Sequence, residues 1–252
     1  MKKIFKTILL ITLSCLLMCS CSNKNTKNNE TTNTTVLIAI SPDYPPYESL
    51  TVSNELEGFD VDMVEWLFSY INSKGYNYTY EWKQMSFDTI ISAIQTDQVD
   101  LGVSGFTYDP ERKVLFSTPY FKSAEVVLVN LDSDIDSVDD LKGKTIGAQM
   151  GTTGEFCANE IEEAIVMAIE DMGICVQTLQ AGGVDAVIAD LAVANNYAAN
   201  GNFKVLEEML LDEDNYVIAK EGNNELMDII NEAIEAFKAS SDYQKLADKW
   251  GL

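Results

Sequence analysis

The chain of 252 residues contains no histidine, and only one of its seventeen basic residues, Arg112, is an arginine. Without imidazole there is no histidine-based metal centre and no histidine-dependent hydrolase triad. Positive charge is scarce throughout: from residue 31 onward twelve basic residues face thirty-nine acidic ones, a net charge of −27. Such a surface repels phosphate backbones and anionic headgroups, which excludes nucleic acid as a partner. Long apolar runs are also missing. The longest, over residues 8–18, is broken by Thr12, Ser14 and Cys15 and is too short to span a bilayer with ordered flanks. Three of the five cysteines fall in the first 21 residues, which leaves Cys157 and Cys175 in the remainder. In an oxidising compartment these two either pair or lie buried as small hydrophobes, and the sequence leaves both readings open.

The first residues form a targeting signal. Met1-Lys2-Lys3 and Lys6 give a positive start, the apolar run follows, and Ser20-Cys21 closes it with a small residue directly before a cysteine. Cys15 lies inside the run and Cys19 follows the bulky Met18, so Cys21 is the expected lipidation site and residues 1–20 the lipoprotein signal peptide. Cleavage without lipid is the alternative. A cysteine bearing more than one acyl chain anchors durably. Residues 22–35 are almost entirely Asn, Thr, Ser and Lys, and 21–35 is read as a flexible tether. The expected location is extracytoplasmic, on a lipid anchor: the periplasmic face in a two-membrane bacterium, the cell surface in a one-membrane one.

Hydrophobic periodicity divides the rest into alternating strands and helices. Residues 36–40 predict a strand closed by Ser41-Pro42 and the turn-rich Tyr44-Pro45-Pro46-Tyr47. The spacing of Val61, Val64, Trp66, Leu67 and Phe68 predicts a helix over 61–71. A strand over 76–82, a helix over 87–94 and a strand over 99–103 follow. A second series has strands over 125–129, 145–148, 165–169 and 186–189, a helical turn over 138–141, and helices over 154–163, 175–180 and 191–199. A strand containing Tyr216 and Ala219 and two surface helices, 224–237 and 242–250, complete the chain. Two βα series predict an α/β fold of two lobes, with a ligand where strands end toward the crevice between them.

Polar residues gather where the apolar strands stop: Ser41 and Asp43, then Ser104, Gly105, Phe106 and Thr107, then Gly151, Thr152 and Thr153, and finally Asp190. Strand-end loops on a rigid scaffold are the ordinary address of binding groups. The Arg112 guanidinium offers a planar fork that grips a carboxylate with two donors, which lysine cannot reproduce; an internal pair with Asp109 or Glu111 is the alternative. Gly151-Thr152-Thr153-Gly154 ahead of a helix presents free N–H groups and hydroxyls to an anion, but lacks the Lys-Ser/Thr ending of a phosphate loop. Asp190 either receives an ammonium or caps the helix that starts at Leu191. A carboxylate holder and an ammonium holder together describe a site for the zwitterionic end of an amino acid.

The order of motifs carries a resemblance. Gly58-Phe59-Asp60-Val61-Asp62, Phe87-Asp88, Val99-Asp100-Leu101, Ser104-Gly105-Phe106-Thr107 with Pro110-Glu111-Arg112, Phe116-Ser117-Thr118-Pro119-Tyr120, Gly151-Thr152-Thr153-Gly154 and Val184-Asp185-Ala186-Val187-Ile188 with Asp190 stand in sequence. Together they resemble the polar amino-acid-binding receptors of ABC importers, extracytoplasmic solute-binding family 3. The resemblance implies a two-lobed periplasmic-binding-protein-like (type II) fold with lobe 1 over 36–123 plus 219–252, lobe 2 over 127–215, and hinges near 124–126 and 216–218. It implies that Arg112 holds the ligand α-carboxylate with the N–H groups of Thr107 and Thr153. Asp190 then takes the α-ammonium with the Gly105 carbonyl and the Thr107 hydroxyl, while Tyr44 and Phe87 sandwich the ligand side chain, an arrangement suited to a cation. The implied partners are a free L-amino acid and the permease subunits of an importer, with the receptor a monomer that uses no cofactor and no metal.

For specificity, the stretch 30–73 holds no Lys or Arg, and Ser41, Asp43, Glu48 and Asp60 are neutral or acidic, which favours arginine or lysine. Some similar basic-amino-acid binders carry an acid where Ser41 falls, whereas here it stands two positions on at Asp43, and Asp60 belongs to a motif shared with binders of neutral ligands. Glutamine, histidine or another polar amino acid is therefore the alternative. A dehydratase-like enzyme on the same scaffold is the other; catalysis there needs a placed acid or base, and the acids of the cleft have a simpler use in binding.

Overall fold

A computed structural model describes residues 34–252; the signal segment, Cys21 and most of the tether lie outside the described residues. In chain order the elements are β1 (Thr34–Ile40), the short β2 (Ser49–Leu50) and β3 (Leu56–Glu57), α1 (Phe59–Ser73), β4 (Tyr78–Gln84), α2 (Phe87–Gln95), β5 (Leu101–Thr107), a 3-10 turn (Pro110–Arg112) and β6 (Val114–Phe116). Then come β7 (Phe121–Asn130), a 3-10 turn (Val138–Leu141), β8 (Thr145–Gln149), α3 (Thr153–Glu160), β9 (Ile165–Ile169), α4 (Met172–Gln180), β10 (Ala186–Asp190), α5 (Leu191–Ala198), β11 (Phe203–Lys220), α6 (Asn224–Lys238) and α7 (Ser241–Trp250).

The strands join in the order β4-β1-β5-β11-β7-β10-β8-β9, with β6 also on β11. β1, β4 and β5 are parallel neighbours, as are β8, β9 and β10, so each half carries its own βα series. The halves meet in β7 and β11. β11 begins against the far end of β7, with Phe203 opposite Asn130, and finishes against β5 and β6. α6 returns the chain's end to its beginning: Phe237 packs on Phe59 and Trp66 with ring centroids 6.2 and 5.1 Å apart. An apolar core runs through both halves, from Ile38, Phe59 and Leu67 to Leu128, Leu179 and Val193, with separate clusters under α2 and α3.

Three expectations change. Thr34 and Thr35, placed in the tether, open β1 instead, because their β-branched side chains extend the ladder to Tyr78 and Thr79 and Thr35 Oγ1 lies 3.0 Å from Thr79 Oγ1. Ser104, Gly105, Phe106 and Thr107 lie within β5 rather than beyond its end. The left-handed φ of +59° at Gly105 and a register shift between Tyr216 and Ile218 let the strand continue past the point where its apolar run stops. The final strand is eighteen residues long rather than a short segment around Tyr216.

Cys157 and Cys175 are free and buried. They lie in different core clusters, one on α3 and the other on α4, which explains why they do not pair. Burial pushes both thiols up to about 12, which disfavours the reactive thiolate.

Candidate functional site

Four strands end on one cavity of about 320 Å³, including the part open to solvent. Its walls are Ser41, Asp43 and Tyr44 after β1, Phe87 opening α2, Ser104, Gly105 and Thr107 of β5, Arg112, Thr152 and Thr153 at the start of α3, and Asp190 ending β10. This is the topological position at which open α/β sheets hold ligands. Glu125, Gln149 and Glu213 complete the lining. Asp60, Phe106 and Gly151 do not line it.

Arg112 is half-buried on its 3-10 turn. Neither Asp109 nor Glu111 pairs with it among the described residues; Asp109 instead caps the turn, accepting from the Glu111 N–H at 2.8 Å. The guanidinium lies over the rings of Phe87 and Phe106, 5.7 and 5.5 Å from their centroids, and Nη2 donates to the Gly151 carbonyl at 3.1 Å. Its Nη1 is buried without a partner. Phe106, stacked on Phe87 at 4.6 Å, and Gly151 thus position Arg112 from behind the cavity wall.

Asp190 is the residue before α5, yet its side chain makes no capping bond. Ser123 Oγ donates to its Oδ1 at 2.6 Å, and its own N–H donates to Tyr44 Oη at 3.1 Å. Asp190 thus does not cap α5 through its side chain, and it lines the cavity. Asp43 reaches across the cleft: Oδ1 accepts from Ser41 Oγ at 2.8 Å, and Oδ2 accepts from Gln149 Nε2 at 2.8 Å and from the Met172 N–H, at the start of α4, at 3.0 Å. Burial raises the Asp43 carboxyl and these three donors oppose the rise.

Asp60 serves the floor. It accepts from Tyr120 Oη at 2.8 Å and from the Gly105 N–H at 3.4 Å, beside Glu48, which accepts from Ser104 Oγ at 2.5 Å. Ser104 Oγ in turn accepts from the Ser41 N–H at 3.1 Å. Burial first, then the charge of Asp60, pushes Glu48 well above the usual carboxylate range, while burial raises Asp60 to about 7. This paired-acid layer holds Ser41 and Gly105 in place.

Sequence reasoning missed Glu125, Gln149 and Glu213. Glu125 is a buried acid at the head of the otherwise apolar stretch 125–129, a detectable signal; Gln149 closes β8, and Glu213 is hidden in an acidic run. Burial, then the charge of Glu213, raises Glu125 from 4.5 to about 8. Asp190 is raised well above its ordinary value by burial, then by Glu213 and Glu125. The folded protein therefore holds more protons than the unfolded chain between about pH 4.5 and pH 8, and its stability falls as pH rises through that window. The ligand-free thermal midpoint is expected to drop by on the order of 5 °C from about pH 5 to about pH 8. Glu125→Gln, which cannot ionise, should flatten the slope; a midpoint that climbs over the interval contradicts the assignment.

A family model described as bacterial extracellular solute-binding proteins, family 3, matches residues 36–252. The chain is 31% identical over 255 residues to the arginine-binding extracellular protein ArtP of Bacillus subtilis, covering 97% of each. It is 30% identical over 220 residues to ABC transporter arginine-binding protein 1 of Escherichia coli, covering 84% of this chain and 88% of that one. Among solved structures, the arginine-, lysine-, histidine-binding protein ArtJ of Geobacillus stearothermophilus superposes with a TM-score of 0.79 at 32% identity, over 86% of this chain and 95% of that one.

Proposed function

Because the chain belongs to the bacterial extracellular solute-binding proteins, family 3, we propose that it captures a free polar amino acid, arginine or lysine first, and delivers it to the permease subunits of an ABC importer. The two-lobed α/β fold, of the type II periplasmic-binding-protein kind, supplies the cleft. The chain is a binding protein of transport rather than an enzyme, which removes the dehydratase alternative.

One observation carries the ligand class. The Arg112 guanidinium, with a free Nη1, and the Asp190 carboxylate border the same cavity without an ion-pair partner among the described residues. A guanidinium for a carboxylate and a carboxylate for an ammonium match the head of an α-amino acid. Arg112 follows β5 and Asp190 ends β10, so the ligand joins the two halves, and its binding favours closure through contacts that only the closed state makes. The preference for a basic side chain rests on charge: Asp43, Glu125, Asp190 and Glu213 line the cavity against Arg112 alone. Tyr44 and Phe87 lie in the same lining and suit a cation between rings. The engaged oxygens of Asp43 favour the second reading, glutamine or another polar amino acid.

The lobes are proposed at 36–123 plus 219–252 and at 127–215, with crossings near 124–126 and 216–218. Lipid on Cys21 would hold the receptor at the membrane, and the tether would raise its concentration beside the permease.

A thermal screen of the purified protein against the twenty amino acids, after unfolding and refolding to strip carried-over ligand, tests the function. One or two, arginine or lysine among them, should raise the midpoint by about 5 °C or more at a thousandfold excess over Kd. A flat response across all twenty sinks the amino-acid reading.

A further inference from the structure

Three carboxylates meet in the cleft wall: Glu125 of β7, Asp190 of β10 and Glu213 of β11, with one oxygen of each within 4.8 Å of the others. They are 1%, 2% and 7% exposed. The sheet register builds the cluster. Glu125 stands opposite Asp190 in the β7–β10 pair, and Glu213 stands opposite Ser123, two residues from Glu125 and so on the same face of β7.

The neighbouring hydroxyls serve the carboxylates. Thr107 Oγ1 donates to Glu213 Oε2 at 2.7 Å, and Thr153 Oγ1 lies 2.8 Å from Glu125 Oε1 and 3.1 Å from Glu213 Oε2. Glu125 Oε2 has no hydrogen-bond partner, although it is buried in a residue that lines the cavity. No basic side chain comes within 4.0 Å of the three among the described residues, Arg112 being turned to Gly151. Buried carboxylates crowded in this way are costly without a cation, and the raised titration of Glu125 and Asp190 reflects that cost.

One carboxylate suffices to attract an ammonium; three around a point match its geometry. A primary ammonium has three N–H donors on one nitrogen, a secondary one has two, and a guanidinium spreads five over a plane. We infer that Glu125 and Glu213 join Asp190 in a three-carboxylate cage for the primary ammonium of the ligand and select primary amines against N-alkylated ones. The inference rests on the amino-acid reading above and adds two specificity residues to it.

Calorimetric titration tests the cage, with L-arginine, L-lysine, L-histidine and L-glutamine, each beside its Nα-methyl derivative, against the unaltered protein, Glu125→Gln and Glu213→Gln. Each variant should bind at least tenfold more weakly, and the unaltered protein should disfavour the methylated form at least tenfold. Unchanged affinity in both variants, or equal binding of methylated and free amine, overturns the cage and leaves the amino-acid reading standing. Failure of all four amino acids to bind the unaltered protein overturns both. If a variant does not fold, the methylated series on the unaltered protein decides. Calcium chloride alone is the control: stabilisation of the unaltered protein that Glu125→Gln abolishes would assign the cluster to a metal ion and overturn the ammonium.

Discussion

Replacing Arg112 by alanine is expected to lower amino-acid affinity by at least about a hundredfold while leaving the fold intact, since a lost charge-assisted, bidentate contact to a desolvated carboxylate is worth on the order of 3 kcal/mol or more. The residue makes no ion pair among the described residues, and its one protein acceptor is the Gly151 carbonyl, so the protein itself loses little. Arg112→Lys keeps the charge and should still bind at least tenfold more weakly, because an ammonium cannot present two parallel donors or lie flat beside Phe87 and Phe106. Calorimetry against the amino acid selected by the thermal screen measures both. Equal affinity in Arg112→Lys would show that the carboxylate is held elsewhere.

Gly58→Ala is expected to act on folding instead, with a cost on the order of 4 kcal/mol and a thermal midpoint lower by about 10 °C. Gly58 precedes α1 at a φ of +141°, and a Cβ there would stand 2.0 Å from the Tyr47 carbonyl oxygen. That oxygen already accepts the Asp60 N–H at 2.9 Å, so neither backbone can retreat without breaking the start of α1. Gly75→Ala is the control. Gly75 also has a positive φ, +96°, but nothing lies within 4 Å of an added Cβ, and only the backbone preference, about 1 kcal/mol, is lost. Similar losses at the two glycines would refute the close-contact explanation.

The parts legible in the sequence were those where an apolar run ends in polar residues. Ser41, Thr153 and Asp190 stand at such ends, and the structure places all three on the cavity. The single arginine stood out by rarity. What stayed hidden had no such edge. β11 carries Glu207, Glu208 and Met209 exposed in its middle, at register shifts against β7, which erases the alternation that marks a strand. The charge of Glu125 is visible in the sequence, but its cross-strand partner Asp190 is 65 residues away in the chain, and pairing between distant strands leaves no local trace of the cavity they share. Asp60 shows the opposite failure: its motif drew attention, but the acid is turned to Tyr120 and Glu48 under the floor, a direction no linear pattern encodes.

The pairing of β7 with β11 has a mechanical meaning. The halves are connected by a two-stranded ribbon, hydrogen-bonded from Phe203 opposite Asn130 to Asn215 opposite Phe121, rather than by slack chain. Such a ribbon resists stretching and shear, since both break ladder bonds, but it yields to twist. The proposed opening of the cleft would therefore be a torsion about this ribbon, eased where the register of β11 shifts between Tyr216 and Ile218, at the second proposed crossing. An axis fixed in this way would return Arg112 and Asp190 to the same separation at every closure, so that the proposed receptor would measure its ligand against a constant gauge.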